Sequence, residues 1–197
     1  MDASYVDETG YLTDNLGWIG SQYDVEQGMR HFYEETGVQP YLYLTPDVNG
    51  STHPTDSEMY EFANDLYEEL FTDEGHVLVI FQEYNSSGDY YSYYLAGKQA
   101  KTVIDSEAGE ILLDYIDHYY YSDYSEDEMF SLAFSEAADR IMDVTTSPMV
   151  YLAMVGGGVV VIVILLISFK WWKKAKEQKN LEAEQTERIL NSDLEDL

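Results

Sequence analysis

The chain has 197 residues, no cysteine, and 38 acidic against 10 basic side chains, a net charge of −28. That balance excludes nucleic acid as a partner, because phosphate contacts need Lys and Arg. The missing thiol excludes disulfides, thiolate zinc sites and a cysteine nucleophile, and a hydrophobic content of 45% excludes an acidic disordered chain.

In chain order, residues 22–35 read as a helix with Val25, Met29 and Phe32 on one face, closed by Gly37 in the left-handed conformation. Residues 39–45 (QPYLYLT) read as a strand. A loop rich in Pro, Gly, Asn and Ser follows, then Thr55-x-x-Glu58, a capping box. Met59, Phe62, Ala63, Leu66, Tyr67 and Leu70 continue at helical spacing.

The run 76–81 (HVLVIF) has the continuous apolar character of a strand buried on both faces. Residues 85–89 (NSSGD) make a turn, and 90–95 a further strand hairpin-paired with the preceding one. Asp105 opens a helix with Ile111, Leu112, Tyr115, Ile116 and Tyr119 inward. Ser125-x-x-Glu128 is a second capping box, leading into Phe130, Ala133, Phe134, Ala137 and Ile141. A strand–helix–strand unit with further helices predicts an α/β fold, a three-layer α/β/α sandwich on a small mixed sheet. The parallel crossover is expected to be right-handed.

Residues 149–169 carry no charge over 21 positions. At the helical rise this run spans about 31 Å, one hydrocarbon core. It predicts a single transmembrane helix, 148–169, anchored through Val150, Leu152, Val159, Ile162, Leu165, Ile167, Trp171 and Trp172. Five lysines between positions 170 and 179 follow it, so residues 170–197 are expected in the cytoplasm and residues 1–147 outside the cell membrane. Residues 1–148 hold four basic groups against 31 acidic ones, a net of −27, and the tail is nearly neutral. An external domain of this size implies a leader upstream of Met1, since Met1-Asp2-Ala3-Ser4-Tyr5 has no basic or apolar signal character.

The acidic excess draws attention to metal chemistry. Carboxylates suit calcium or magnesium, and Asp73, Glu74, Asp105 and Glu107 adjoin predicted strand ends, where α/β sites usually lie. Against this, Asp105 also reads as a helix cap and Asp73 as a turn residue. Asp47-x-Asn49-x-Ser51 with Glu58 imitates an EF-hand loop, but position six is Thr52, and Glu58 belongs to the capping box. The four histidines lack paired ligand spacing. Nineteen tyrosines predict alternate core and surface positions, and exposed tyrosines favour protein contact.

Several segments, taken in order, resemble the TPM domain family. Tyr5-Val6-Asp7-Glu8-Thr9-Gly10-Tyr11-Leu12 looks like its opening segment, and Phe32-Tyr33-x-x-Thr36-Gly37-Val38-Gln39 like its helix-to-strand passage. Tyr60-x-x-Ala63-Asn64-x-Leu66-Tyr67 resembles its second helix, Asp73-Glu74-Gly75-His76-Val77-Leu78-Val79 its acidic passage into the next strand, and Asp105-Ser106-Glu107-Ala108-Gly109-Glu110-Ile111 its third-helix start. The family includes thylakoid-lumen acid phosphatases, photosystem II repair factors, a receptor modulator and bacterial envelope proteins. The resemblance implies an α/β/α fold outside the cytoplasm, frequent anchoring, and Asp73 and Asp105 as possible metal ligands by position. The chain departs from the family at 95–101 (LAGKQAK), where a Gly-rich aromatic turn is usual.

The leading expectation is a bacterial, non-catalytic accessory or interaction module of the cell envelope. Its partners would be the lipid bilayer and a membrane or cell-wall protein, with calcium or magnesium as candidate ligands. The alternatives are a divalent-metal-dependent phosphatase and a calcium-stabilised surface domain.

Overall fold

The computed structural model describes residues 6–83 and 88–144. These form an α/β fold on one four-stranded mixed sheet, in the order β1 (Leu12–Asp14), β2 (Gln39–Thr45), β3 (His76–Glu83), β4 (Tyr90–Ala96). β1, β2 and β3 are parallel, and β4 closes the sheet antiparallel to β3 as the predicted hairpin. The helices are α1 (Gln22–Thr36), α2 (Asp56–Leu70), α3 (Ser106–Tyr120) and α4 (residues 126–144).

The helix ends follow from their caps. Ser21 accepts the Asp24 N–H at the start of α1, Thr55 and Glu58 complete a reciprocal capping box on α2, and Asp105 accepts the Ala108 N–H on α3. Gly37 (φ 70°) stops α1 in the left-handed region. Glu58 is therefore committed to its cap. Asp47, the first residue of the EF-hand imitation, accepts the Gly50 N–H within its own turn.

β3 divides the core. Val77, Val79 and Phe81 enter a cluster with Met29 and Phe32 of α1, Leu112 and Ile116 of α3, and Phe130 and Phe134 of α4. Leu78 and Ile80 enter a second cluster with Met59, Ala63 and Leu66 of α2. Alternate side chains of one strand thus feed both faces of the sheet. A Cβ on Gly28 would overlap the Ser131 backbone, so α1 and α4 meet through a glycine.

Three features differ from the sequence expectation. β1 is an extra strand of three half-buried residues. β3 runs two residues further, to Glu83. The β4 tyrosines do not alternate between core and surface: Tyr90, Tyr91, Tyr93 and Tyr94 are all half-buried, because β4 is an edge strand whose rings pack at the margins of both clusters. No helix among the described residues is long and apolar enough to cross a membrane. The predicted span 148–169, its anchor residues and the tail 170–197 lie outside the described residues.

Candidate functional site

Asp73 and Glu74 precede β3, and Asp105 follows β4, so all three sit at the amino end of the parallel strands. They adjoin strand ends as expected, at the end opposite the carboxyl ends that α/β sites customarily occupy.

At this amino end Asp73 is already committed. Its Oδ1 accepts the Gly75 N–H at 2.6 Å and faces His76 Nδ1 at 3.0 Å, and its Oδ2 accepts the Asp7 N–H at 2.7 Å. His76 is fully buried and stacks on Phe71. Its Nε2 lies 3.1 Å from Gln39 Oε1, which also accepts the Thr9 N–H, and the Gln39 amide donates to the Thr9 carbonyl.

Asp73, His76 and Gln39 thus strap the segment 7–10 across the starts of β2 and β3. Burial holds the His76 imidazole below its ordinary value, with the Asp73 carboxylate pulling in the opposite direction. Partial burial would raise Asp73, but the N–H groups of Asp7 and Gly75 and the His76 ring outweigh it and hold the carboxyl low.

Glu74 turns away to the other side. Its Oε2 accepts the Lys98 N–H at 2.8 Å, and its Oε1 lies 3.6 Å from Lys98 Nζ. Asp105 caps α3 and Glu107 is exposed in the first turn of that helix. Among the described residues no group of three or more His, Asp or Glu side chains is arranged to hold a metal ion.

The carboxyl end is aromatic and acidic. Tyr90 donates to Asp117, and Tyr120 donates to Glu83 at 3.2 Å. Tyr90 lies 4.4 Å, centroid to centroid, from Tyr120, and Tyr120 lies 5.1 Å from Tyr121. Burial, reinforced by Glu83, pushes the Tyr120 hydroxyl up to about 12. Burial and the Asp117 bond push Tyr90 up as well. Tyr121 and Tyr124 remain 72% and 53% exposed. A shallow cavity of about 370 Å³ is lined by Tyr90, Tyr91 and Tyr121 with Asp89 and Asp117. After β1, two acidic side chains organise the entrance to α1. Asp14 accepts the N–H groups of Leu16, Gly17 and Ile19, and Asp127 accepts those of Gly20 and Ser21.

A separate cavity of about 300 Å³ lies between α2 and the segment after β4, with Tyr60, Tyr67, Glu68, Glu74, Lys98 and Lys101 in its wall. Sequence reasoning placed Gln39, Tyr67 and His76 in predicted elements and gave them no role in a site. Tyr67 Oη accepts the His76 N–H at 3.3 Å, a contact across nine residues with no motif to announce it.

No family model matches the chain, and no curated protein matches it. Among solved structures, it is similar to the BA42 protein of the psychrophilic bacterium Bizionia argentinensis, at 11% identity and a TM-score of 0.44, over 65% of this chain and 84% of that one. It is also similar to the N-terminal domain of a protein from P. gingivalis, at 15% identity and a TM-score of 0.47, over 73% of this chain and 94% of that one.

Proposed function

We propose that this chain is a single-pass membrane protein. It displays a TPM-like domain, residues 1–147, outside the cell and serves as a non-catalytic interaction module of the envelope. The observation that carries the reading is the carboxyl end of the sheet, where Tyr121 stands exposed beside Tyr90 and Tyr120, and Tyr124 stands exposed beside Tyr119.

Rings held by their neighbours bury area at low entropic cost when a partner docks. The excess of 27 negative charges in residues 1–148 favours a partner with a basic face, steering encounter and disfavouring acidic competitors. The apolar run 149–169 and the lysines after it support the anchored topology.

The test is partner capture from native membranes by chemical cross-linking of the full chain. Wild type retains a specific adduct. The double variant Tyr121→Ala/Tyr124→Ala loses it, while Tyr23→Ala, at another exposed tyrosine, keeps it. Equal capture by all three proteins would refute the assignment of this surface.

A further inference from the structure

The cavity between α2 and residues 95–101 stands apart from the tyrosine surface, and its composition is unlike that of the rest of the domain. Residues 1–148 contain four basic side chains, and two of them, Lys98 and Lys101, line this one cavity. Neither of the acidic cavities around Asp117 and around Asp114 has a Lys or Arg in its wall.

The wall is held in place by its own hydrogen bonds. The Glu74 carbonyl accepts the N–H groups of Gln99 at 3.1 Å and Ala100 at 2.9 Å, and Gly97 donates to the His76 carbonyl at 3.0 Å. A Cβ on Gly97 would collide with Tyr67 Oη and the Glu74 carbonyl, so the floor is closed against α2. Both Glu74 oxygens are taken up by Lys98, through its N–H and its ammonium. The Lys101 ammonium has no carboxylate partner among the described residues. Tyr60, 55% exposed, and Leu95 supply apolar walls.

From this arrangement we infer that the cavity binds a small organic anion, a carboxylate or phosphate ester on a ring, with its charged head at Lys98 and Lys101 and the ring against Tyr60. Lys98 offsets Glu74, and Lys101 offsets the second carboxylate of the wall, Glu68, so this cavity lacks the acidic excess of the rest of the domain. An unpaired ammonium at the rim of a preformed cavity supplies charge-assisted hydrogen bonds.

The experiment is a titration of isotopically labelled full-length protein in non-ionic micelles, followed by amide NMR at about 0.15 M salt to screen diffuse attraction. The probes are benzoate and phenyl phosphate. Saturable shifts centred on Gly97, Lys98 and Lys101 are expected with at least one probe. Lys98→Gln/Lys101→Gln should weaken that binding by about tenfold or more, and Lys101→Gln alone by a smaller factor. The lysine side chains are exposed, so both variants keep the native amide spectrum. Non-saturating shifts spread over the surface, or equal binding by wild type and the double variant, would overturn the inference. Neither result depends on whether the tyrosine surface captures a protein.

Discussion

The two ends of the sheet handle polar groups in opposite ways. At the amino end, His76, Asp73 and Gln39 face inward, and each finds partners on other segments. At the carboxyl end, Tyr121 and Tyr124 face solvent, while Tyr90 and Tyr120 bond carboxylates at the margin. A buried and matched network fixes a fold, because leaving any member unpaired costs free energy. An exposed aromatic surface costs little to leave bare and gains when covered. The carboxylates that resemble ligands by sequence lie at the end with the matched network, and the surface proposed for recognition lies at the other.

The largest effect should come from breaking the amino end. His76→Ala removes a fully buried ring stacked on Phe71 and strips Asp73 and Gln39 of a partner. A loss of about 3 kcal/mol in urea unfolding is expected. A loss under about 1 kcal/mol would show that the strap on residues 7–10 is not a structural anchor.

Next in size is Gly97→Ala, whose Cβ meets Tyr67 Oη and the Glu74 carbonyl. Overpacking of this kind costs about 2 kcal/mol. An unchanged urea midpoint would mean that the segment yields freely and that the cavity floor is not preformed.

Acid should sharpen the comparison further. The folded-state value of His76 lies below its unfolded value, so the unfolded chain takes up that proton first. Its contribution is present above about pH 6.5 and is lost as pH falls through the depressed folded value. Asp73 is also depressed, so its contribution disappears at still lower pH, below the ordinary carboxylate range. Urea midpoints between pH 8 and pH 3 should therefore fall with acid, and His76→Gln should flatten the upper part of the curve. A wild-type midpoint that rises between pH 7 and pH 5 would contradict this assignment.

The smallest stability effect belongs to the carboxyl end. Tyr121→Ala/Tyr124→Ala should change unfolding free energy by about 0.5 kcal/mol or less. A loss above about 2 kcal/mol would place these rings in the core network instead.

Much of the fold was legible because it is written locally. The caps at Thr55, Asp105 and Ser125, the stop at Gly37 and the helical spacing of Val25–Met29–Phe32 and Met59–Ala63–Leu66 are short-range signals, and α1, α2, α3 and α4 followed them. β1 was missed because three residues, Leu12, Thr13 and Asp14, carry too little pattern; pairing with Leu42, Tyr43 and Leu44 makes them a strand. The polar end of β3, Gln82 and Glu83, hid its length.

The β4 tyrosines misled for another reason. Alternation assigns core and surface for a strand with one buried face, and an edge strand flanked by α2 and α3 half-buries both. At the candidate site, the cap role of Asp105 and the turn role of Asp73 could be read from neighbouring residues. The His76–Gln39–Thr9 network could not, because its members lie 30 and 37 positions apart. The same is true of Asp127, which caps the entrance to α1 from 106 residues away.

The most direct test of the contrast between the two ends is site-specific photo-cross-linking of the full chain in native membranes. A photoreactive amino acid would replace Tyr121 in one protein and Glu8, exposed at the amino end, in another. A discrete protein adduct from position 121 with none from position 8 is the predicted result. Adducts from position 8 alone, or from both in equal yield, would contradict the assignment of recognition to the carboxyl end.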